Sequence, residues 1–272
     1  KAQFQEEASP GSGVGALRGY LEQHPEAREP RITLARMLVA AKQFEPARAQ
    51  FEQILQRAPD DKDAVHAAGL LSMQIGDRAS AERHFRHLLD LGFAEPDSIR
   101  SYLGQIAEEG KRYDEAIGWY KAVAPGSRFV AAQVRVAQVL LASGRMQDAR
   151  RHLQVLAHDG AADERPQFIL AEAQILREAG RNEEAFDVLD DALRQTPDNI
   201  DLLYESALMA ERIGRLEVME GRLRKLIVIK PDHAHAYNAL GYSLVDRNVR
   251  LDEAESLIRK GLELAPNDAF IL

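Results

Sequence analysis

Cysteine is absent from the 272-residue sequence, and tryptophan occurs once. Without thiols there can be no disulfide, no thiolate nucleophile and no cysteine-ligated zinc, although the absence fits oxidising and reducing compartments alike. Aromatic residues amount to only 6%. Alanine, leucine, arginine and glutamate are plentiful instead, and their unbranched side chains lose little rotamer freedom in a helix. No apolar run approaches the ~20 residues that span a bilayer. Like charges form no block either: 35 basic against 43 acidic residues leave a net charge of −8, spread along the chain. Nucleic acid is therefore not an expected partner, since phosphate affinity needs clustered Lys and Arg. A content of 45% apolar residues is too high for a disordered acidic chain. The first residue is Lys1, with no initiator Met and no signal-peptide pattern. The chain reads as a piece whose targeting signal lay outside it.

What the sequence does have is a period. Pro25, Pro59, Pro197, Pro231 and Pro266 are separated by 34, 138, 34 and 35 residues, and 138 is four periods of 34 plus two. A second series, Ala47, Ala81, Ala116, Ala149, Ala185, Met219 and Ala254, steps by 34, 35, 33, 36, 34 and 35. Two residue types keeping one step of about 34 define a tandem array. Within each period, apolar residues recur at helical spacing, as at Ile99, Tyr102, Leu103 and Ile106. A turn with Gly76, Gly110, Gly144, Gly180 or Gly214 is expected to end the first helix in a left-handed cap. A second helix then brings its small residue to the closest backbone approach, and proline stops it. The small residue is missing at Met219, and Leu103 stands where the third period should have one. The Pro125-Gly126 pair cuts one second helix short, and the polar stretch 158–165 reads as an overlong loop.

The last complete period carries Tyr237, Leu240-Gly241 and Leu244, then Ala254, Ile258 and Pro266. In this it resembles the tetratricopeptide repeat. Leu34-Ala35, Leu38, Ala47, Phe51 and Pro59 repeat the pattern, as do Ile169, Ala173, Leu176, Gly180, Ala185, Leu189, Ala192 and Pro197. The resemblance implies an all-α fold, a right-handed superhelical solenoid of helix-turn-helix repeats. The expected division is seven units at 28–61, 62–95, 96–129, 130–165, 166–199, 200–233 and 234–268. Residues 1–27 read as the end of one helix plus the second helix of an earlier unit, and 269–272 as the start of another. Both ends are expected to be cut mid-unit, so that Phe270 and its neighbours leave an apolar edge open to self-association.

Candidates for chemistry are few. His84 and His87 share an i, i+3 spacing but lack a carboxylate partner, so a solvated outer face is expected rather than a metal site. Asp232 before His233 and His235 reads as a helix start favoured by the dipole. Gly11-Ser12-Gly13-Val14-Gly15 lacks the Lys-Ser/Thr ending of a phosphate loop and reads as a turn entering a helix. The acid pairs Asp114-Glu115, Glu183-Glu184 and Asp252-Glu253 recur before the small Ala, where they suit a helix N-terminus. No catalytic residue, cofactor or metal is expected.

In the resembled family, first helices line a concave groove with unit positions 2, 5, 9, 12 and 13. Transferred residue by residue, these place Arg36, His66, Leu70, Met73, Arg100, Val134, Gln138, Leu170, Gln174, Arg177, Tyr204, Leu208, Arg212, Asn238, Tyr242 and Val245 on the groove. Ile32 and Gly104 join them, and the tyrosines are expected there without a packing role. No unit pairs Lys at position 5 with Asn at position 9, so the carboxylate clamp of chaperone-binding members is missing. The apolar and aromatic lining suits a protein or peptide ligand. The expected function is a protein-interaction scaffold with no enzymatic activity and no membrane insertion of its own. The seventh unit has one extra residue in its turn, around Asn248-Val249-Arg250. There it resembles bacterial outer-membrane lipoproteins that deliver substrates to carboxyl-terminal processing proteases, which implies a periplasmic location. The rival readings are a regulatory or substrate-binding domain of a larger enzyme and a structural subunit of a pilus or secretion assembly.

Overall fold

A computed structural model describes residues 12–266, which form fifteen α-helices and, among the described residues, no strand. A first helix α1, Ser12–Gln23, is followed by seven helix pairs. These are α2 (Arg28–Ala40) with α3 (Phe44–Leu55), α4 (Lys62–Gln74) with α5 (Arg78–Asp90), and α6 (Pro96–Glu109) with α7 (Tyr113–Lys121). Then come α8 (Phe129–Ala142) with α9 (Met146–Asp159), and α10 (Arg165–Glu178) with α11 (Asn182–Gln195). The last pairs are α12 (Ile200–Arg212) with α13 (Leu216–Ile229), and α14 (Ala234–Asp246) with α15 (Leu251–Leu264). The chain divides into two compact units, 1–132 and 133–272.

The turns explain the pairing. Three residues join the helices of the first six pairs and four join the last. In each turn a residue with positive φ reverses the chain, and the following amide reaches back to close the helix end. Arg181 N–H donates to the Leu176 carbonyl at 2.8 Å, and Arg215 N–H to the Ala210 carbonyl at 2.8 Å. Glycine fills the left-handed position at Gly76, Gly144, Gly180 and Gly214. Gly110 does not: its φ is −79°, and Lys111 turns left-handed in its place, as Lys42 does in the first pair. Second helices stop where sequence chemistry tells them to. Thr196, Lys230 and Ala265, each preceding a proline, are extended at φ −130°, −129° and −141°.

Small residues set the distance within each pair. Ala35, Gly69, Gly104, Ala137, Ala173, Ala207 and Gly241 are all buried where a first helix meets its partner. A Cβ on Gly104 would lie 2.6 Å from the Tyr120 ring, and one on Gly69 2.7 Å from Phe85. This equivalence shows the third pair to be one residue out of the expected step. Leu103 does not replace a small residue; Gly104 is that residue, and Leu103 is a core side chain at 1% exposure. Met219, also 1% exposed, is packed inside the second unit's core with Leu176, Leu189, Leu223 and Leu240. The first unit has its own cores, around Leu34, Leu38 and Phe51 and around Phe85, Leu88 and Ile99.

Three local expectations change. Ser12 to Gly15 belong to α1 rather than to a turn, while Gly11 lies outside the described residues. His158 and Asp159 are still helical and Arg165 already opens α10, so the loop is only 160–164. The 122–128 connection after the short α7 is longer. The expected extra helix start at 269–272 lies outside the described residues.

Candidate protein-binding groove

In the second unit the first helices of successive pairs expose matching positions. Val134 on α8, Leu170, Gln174 and Arg177 on α10, and Tyr204 on α12 come together with Gln167, Ala171, Asp201 and Glu205. They line an open concave pocket of about 390 Å³. Repeat geometry makes the pocket, because side chains one period apart rise from parallel helices at the same height. Arg177 spans it towards Glu205 at 3.7 Å. Further along the same helical faces stand Leu208, half-buried, and Arg212, exposed; on α14 Tyr242 and Val245 are 41% and 43% exposed. Gln138 on α8 is half-buried and accepts from Arg135 at 2.8 Å. Asn238 is half-buried against α15, close to Gly261.

Packing claims part of this set. Leu170 and Tyr204 lean on the buried core of the second unit. The Tyr204 ring also lies 5.1 Å from His233 and 6.4 Å from His235, and burial pushes its phenol upward. Tyr204 thus has a structural use, whereas Tyr242 is 41% exposed. His233, rather than Asp232, caps α14: its Nδ1 accepts the Ala236 N–H at 3.1 Å. That bond needs a neutral ring nitrogen, and burial, the main influence, lowers the imidazole pKa accordingly.

In the first unit Arg36 is exposed, and His66 is half-buried against Phe93 at 5.0 Å. Leu70 and Met73 are half-buried on the core around Phe85. Ile32 is buried at 9% and Gly104 is buried under Tyr120, so neither is groove surface. The one-residue step in α6 also turns Arg100 toward Asp97, which accepts from it at 2.7 Å.

The opposite faces carry a network that sequence reading missed. Arg86 pairs with Glu115, and 29 residues separate them; Arg224 and Glu253 repeat both the spacing and the pairing, at 2.6 Å. Arg150 pairs with Glu184 at 3.1 Å and also with buried Glu172 at 3.0 Å. The recurring acids before the small Ala therefore do more than complement a helix dipole: they tie α7, α11 and α15 to the second helix before each. The signal was available as an Arg 29 or 34 residues ahead of Glu115, Glu184 and Glu253. A second hollow, about 620 Å³, lies among α9, α10 and α11 and was not foreseen.

Among the described residues no three His, Asp or Glu side chains converge as metal ligands. His84 is half-buried rather than solvated, its imidazole lowered by burial, and His87 reaches Asp60 at 3.1 Å. Among the described residues no helix is long and apolar enough to cross a membrane.

Comparison with known proteins fits this geometry. Tetratricopeptide-repeat profiles match residues 10–70, and a second form matches 66–130 and 170–218, more than half of the chain in all. A TPR repeat-containing protein of Pseudomonas aeruginosa is 39% identical over 180 residues, 65% of this chain and 30% of that protein. The chain thus spans under a third of that relative. Among solved structures, the C-terminal part of a TPR repeat-containing protein from Cytophaga hutchinsonii is similar at a TM-score of 0.53 and 14% identity. That similarity covers 88% of this chain and 97% of the other.

Proposed function

The chain belongs to the tetratricopeptide-repeat family, a non-catalytic interaction fold, and from that premise we propose that it captures an extended segment of a partner protein. The site is the groove of the second unit, across α8, α10, α12 and α14. The observation carrying this reading is the pair Tyr242 and Val245, 41% and 43% exposed on the face that also holds the Val134–Tyr204 pocket. A large, stiff, amphipathic ring left in water beside an apolar floor is what binding anchors look like before a partner covers them.

The finer reading is an adaptor that hands such segments to a carboxyl-terminal processing protease, in the periplasm and as part of a lipoprotein. Its support is the resemblance of the seventh unit, with its four-residue turn 247–250. Photo-crosslinking tests both parts. A benzophenone side chain placed at Tyr242 or Gln174 should capture the same partner in cells, and one placed at outward-facing Asp187 or Glu217 should not. Equal capture from both faces would end the groove reading. A groove partner that is neither a periplasmic protease nor its substrate would end the delivery reading alone.

A further inference from the structure

The two faces of the second unit treat their carboxylates differently. On the second-helix side, acids are neutralised within the chain: Glu184 by Arg150 and Arg181, Glu253 by Arg224 and Arg250, Glu220 by Arg224, Arg247 and Arg250. Along the groove face of α12 and α14 stand Asp201, Glu205, Glu211 and Asp246, with Arg212 the one guanidinium among them. Arg177 of α10 answers Glu205, at a loose 3.7 Å. No cation of the described residues forms an ion pair with Asp201, Glu211 or Asp246. Glu211 of α12 and Asp246 of α14 are near enough for the charge of one to act on the other. The Glu211 carboxyl is held above its ordinary range by burial first and by the Asp246 charge second, while Arg212 and Arg247 offset part of this. Arg247 is itself engaged by Glu220 at 3.2 Å and by the Ser243 carbonyl at 3.1 Å.

We infer that the α12–α14 end of the groove selects a cationic segment, an extended stretch of a partner protein in which Lys or Arg alternates with apolar residues. The proposal rests on the groove reading above and names its ligand class. Apolar side chains of such a segment would lie on Leu208, Val245 and the Tyr242 ring. Its ammonium or guanidinium groups would reach Glu211 and Asp246 on one side and Asp201 on the other. Tyr242 adds an exposed aromatic face, to which a cation is attracted by the ring quadrupole. Complementary charge of this kind speeds encounter and suppresses wrong partners more than it deepens affinity, so an acidic segment of equal apolarity is refused.

Fluorescence anisotropy with short labelled peptides decides the matter, using the 272-residue chain. The probes alternate leucine with lysine, with glutamate, or with serine. The lysine peptide should bind about tenfold or more tighter than the glutamate peptide, and its affinity should fall with salt. Combined Asp201→Asn, Glu211→Gln and Asp246→Asn should erase the preference. Neutralising Asp187 and Glu217 on the outer face should leave it intact. Tyr242→Ala should weaken lysine-peptide binding, with circular dichroism melts confirming that every variant folds. Three results would overturn the proposal. If the outer-face variant loses preference as fully as the groove variant, the attraction is only the diffuse charge of the chain. Should all three peptides bind alike and all depend on Tyr242, the groove stands and cation selection falls. If no peptide binds, groove capture and cation selection fall together.

Discussion

Glu220 shows how much one side chain can be asked to hold. It lies on α13 and receives Arg224 of the same helix and Arg247 and Arg250 of the turn after α14. With its carboxylate only 16% exposed, these guanidinium groups hold its pKa at about 2, against an ordinary 4.5. Arg250 itself sits in the left-handed region at φ 49°, a strained place for a side chain with a Cβ. The ion pairs help keep it there. A carboxyl depressed on folding contributes stability that is complete above its unfolded pKa. That contribution is lost as pH falls from about 4.5 through about 2. Allowing for solvent around the arginines, its size is about 1–2 kcal/mol. Urea titrations at pH 7 and pH 3 should show this difference narrowing in Glu220→Gln, which has nothing to protonate. An unchanged pH slope in the variant would place the acid sensitivity elsewhere.

At the scale of the element, the turns between paired helices set the geometry, and they use two chemistries for one conformation. Gly180 adopts φ 73° with open space around it, so a methyl group would meet no neighbour and only the backbone would object. Lys42 and Lys111 adopt φ 58° and 57° in equivalent turns and already carry that penalty. A left-handed residue with a Cβ costs ~1–2 kcal/mol, partly offset because glycine loses more entropy on folding. Gly180→Ala should therefore destabilise by roughly 1 kcal/mol. Lys111→Gly should stabilise by about 0.5–1 kcal/mol. Chemical denaturation of both variants checks the pair, and a destabilised Lys111→Gly would reveal a role for the lysine side chain that its exposure does not suggest. Legibility was uneven here. The glycine turns were plain from their spacing, but Gly110 was misplaced by one residue because local pattern does not say which of two neighbours turns left-handed.

Over the whole molecule, stability is distributed among neighbouring pairs rather than pooled in one core. The first unit closes separate clusters around Leu38 and Phe85, and the second unit closes its own around Leu189 and Leu223. Trp119, the sole tryptophan, lies on α7 in the first unit and reports on that part alone. Gly104→Ala would drive a methyl group to 2.6 Å from the buried Tyr120 ring. Overpacking of this sort costs typically 1–3 kcal/mol. In the variant, Trp119 fluorescence should change at lower denaturant than in the parent. Helical circular dichroism should keep a later component from the second unit. Superimposed fluorescence and dichroism curves would mean that the chain unfolds as one block.

The period, the helix pairs, the turns and the small residues between helices were all present in the order of amino acids. Each repeat contacts chiefly its neighbours, so the information for its shape lies within about two periods of chain. Face membership was legible only to within one residue, and one residue turns a helix by about 100°. That is why Gly104, expected on the groove, is buried and Arg100 turns to Asp97, whereas Ile32, in its expected register, is buried in the core with Leu34 and Leu38. Tertiary structure alone decided which exposed-looking groups find partners. Tyr204 settles against His233, and His233 caps α14 in place of Asp232. Acids of identical type separate into those neutralised by an arginine one repeat away and those left unpaired in the groove. Such partners are brought together by the stacking of helices, at separations where neither residue carries a mark of the other.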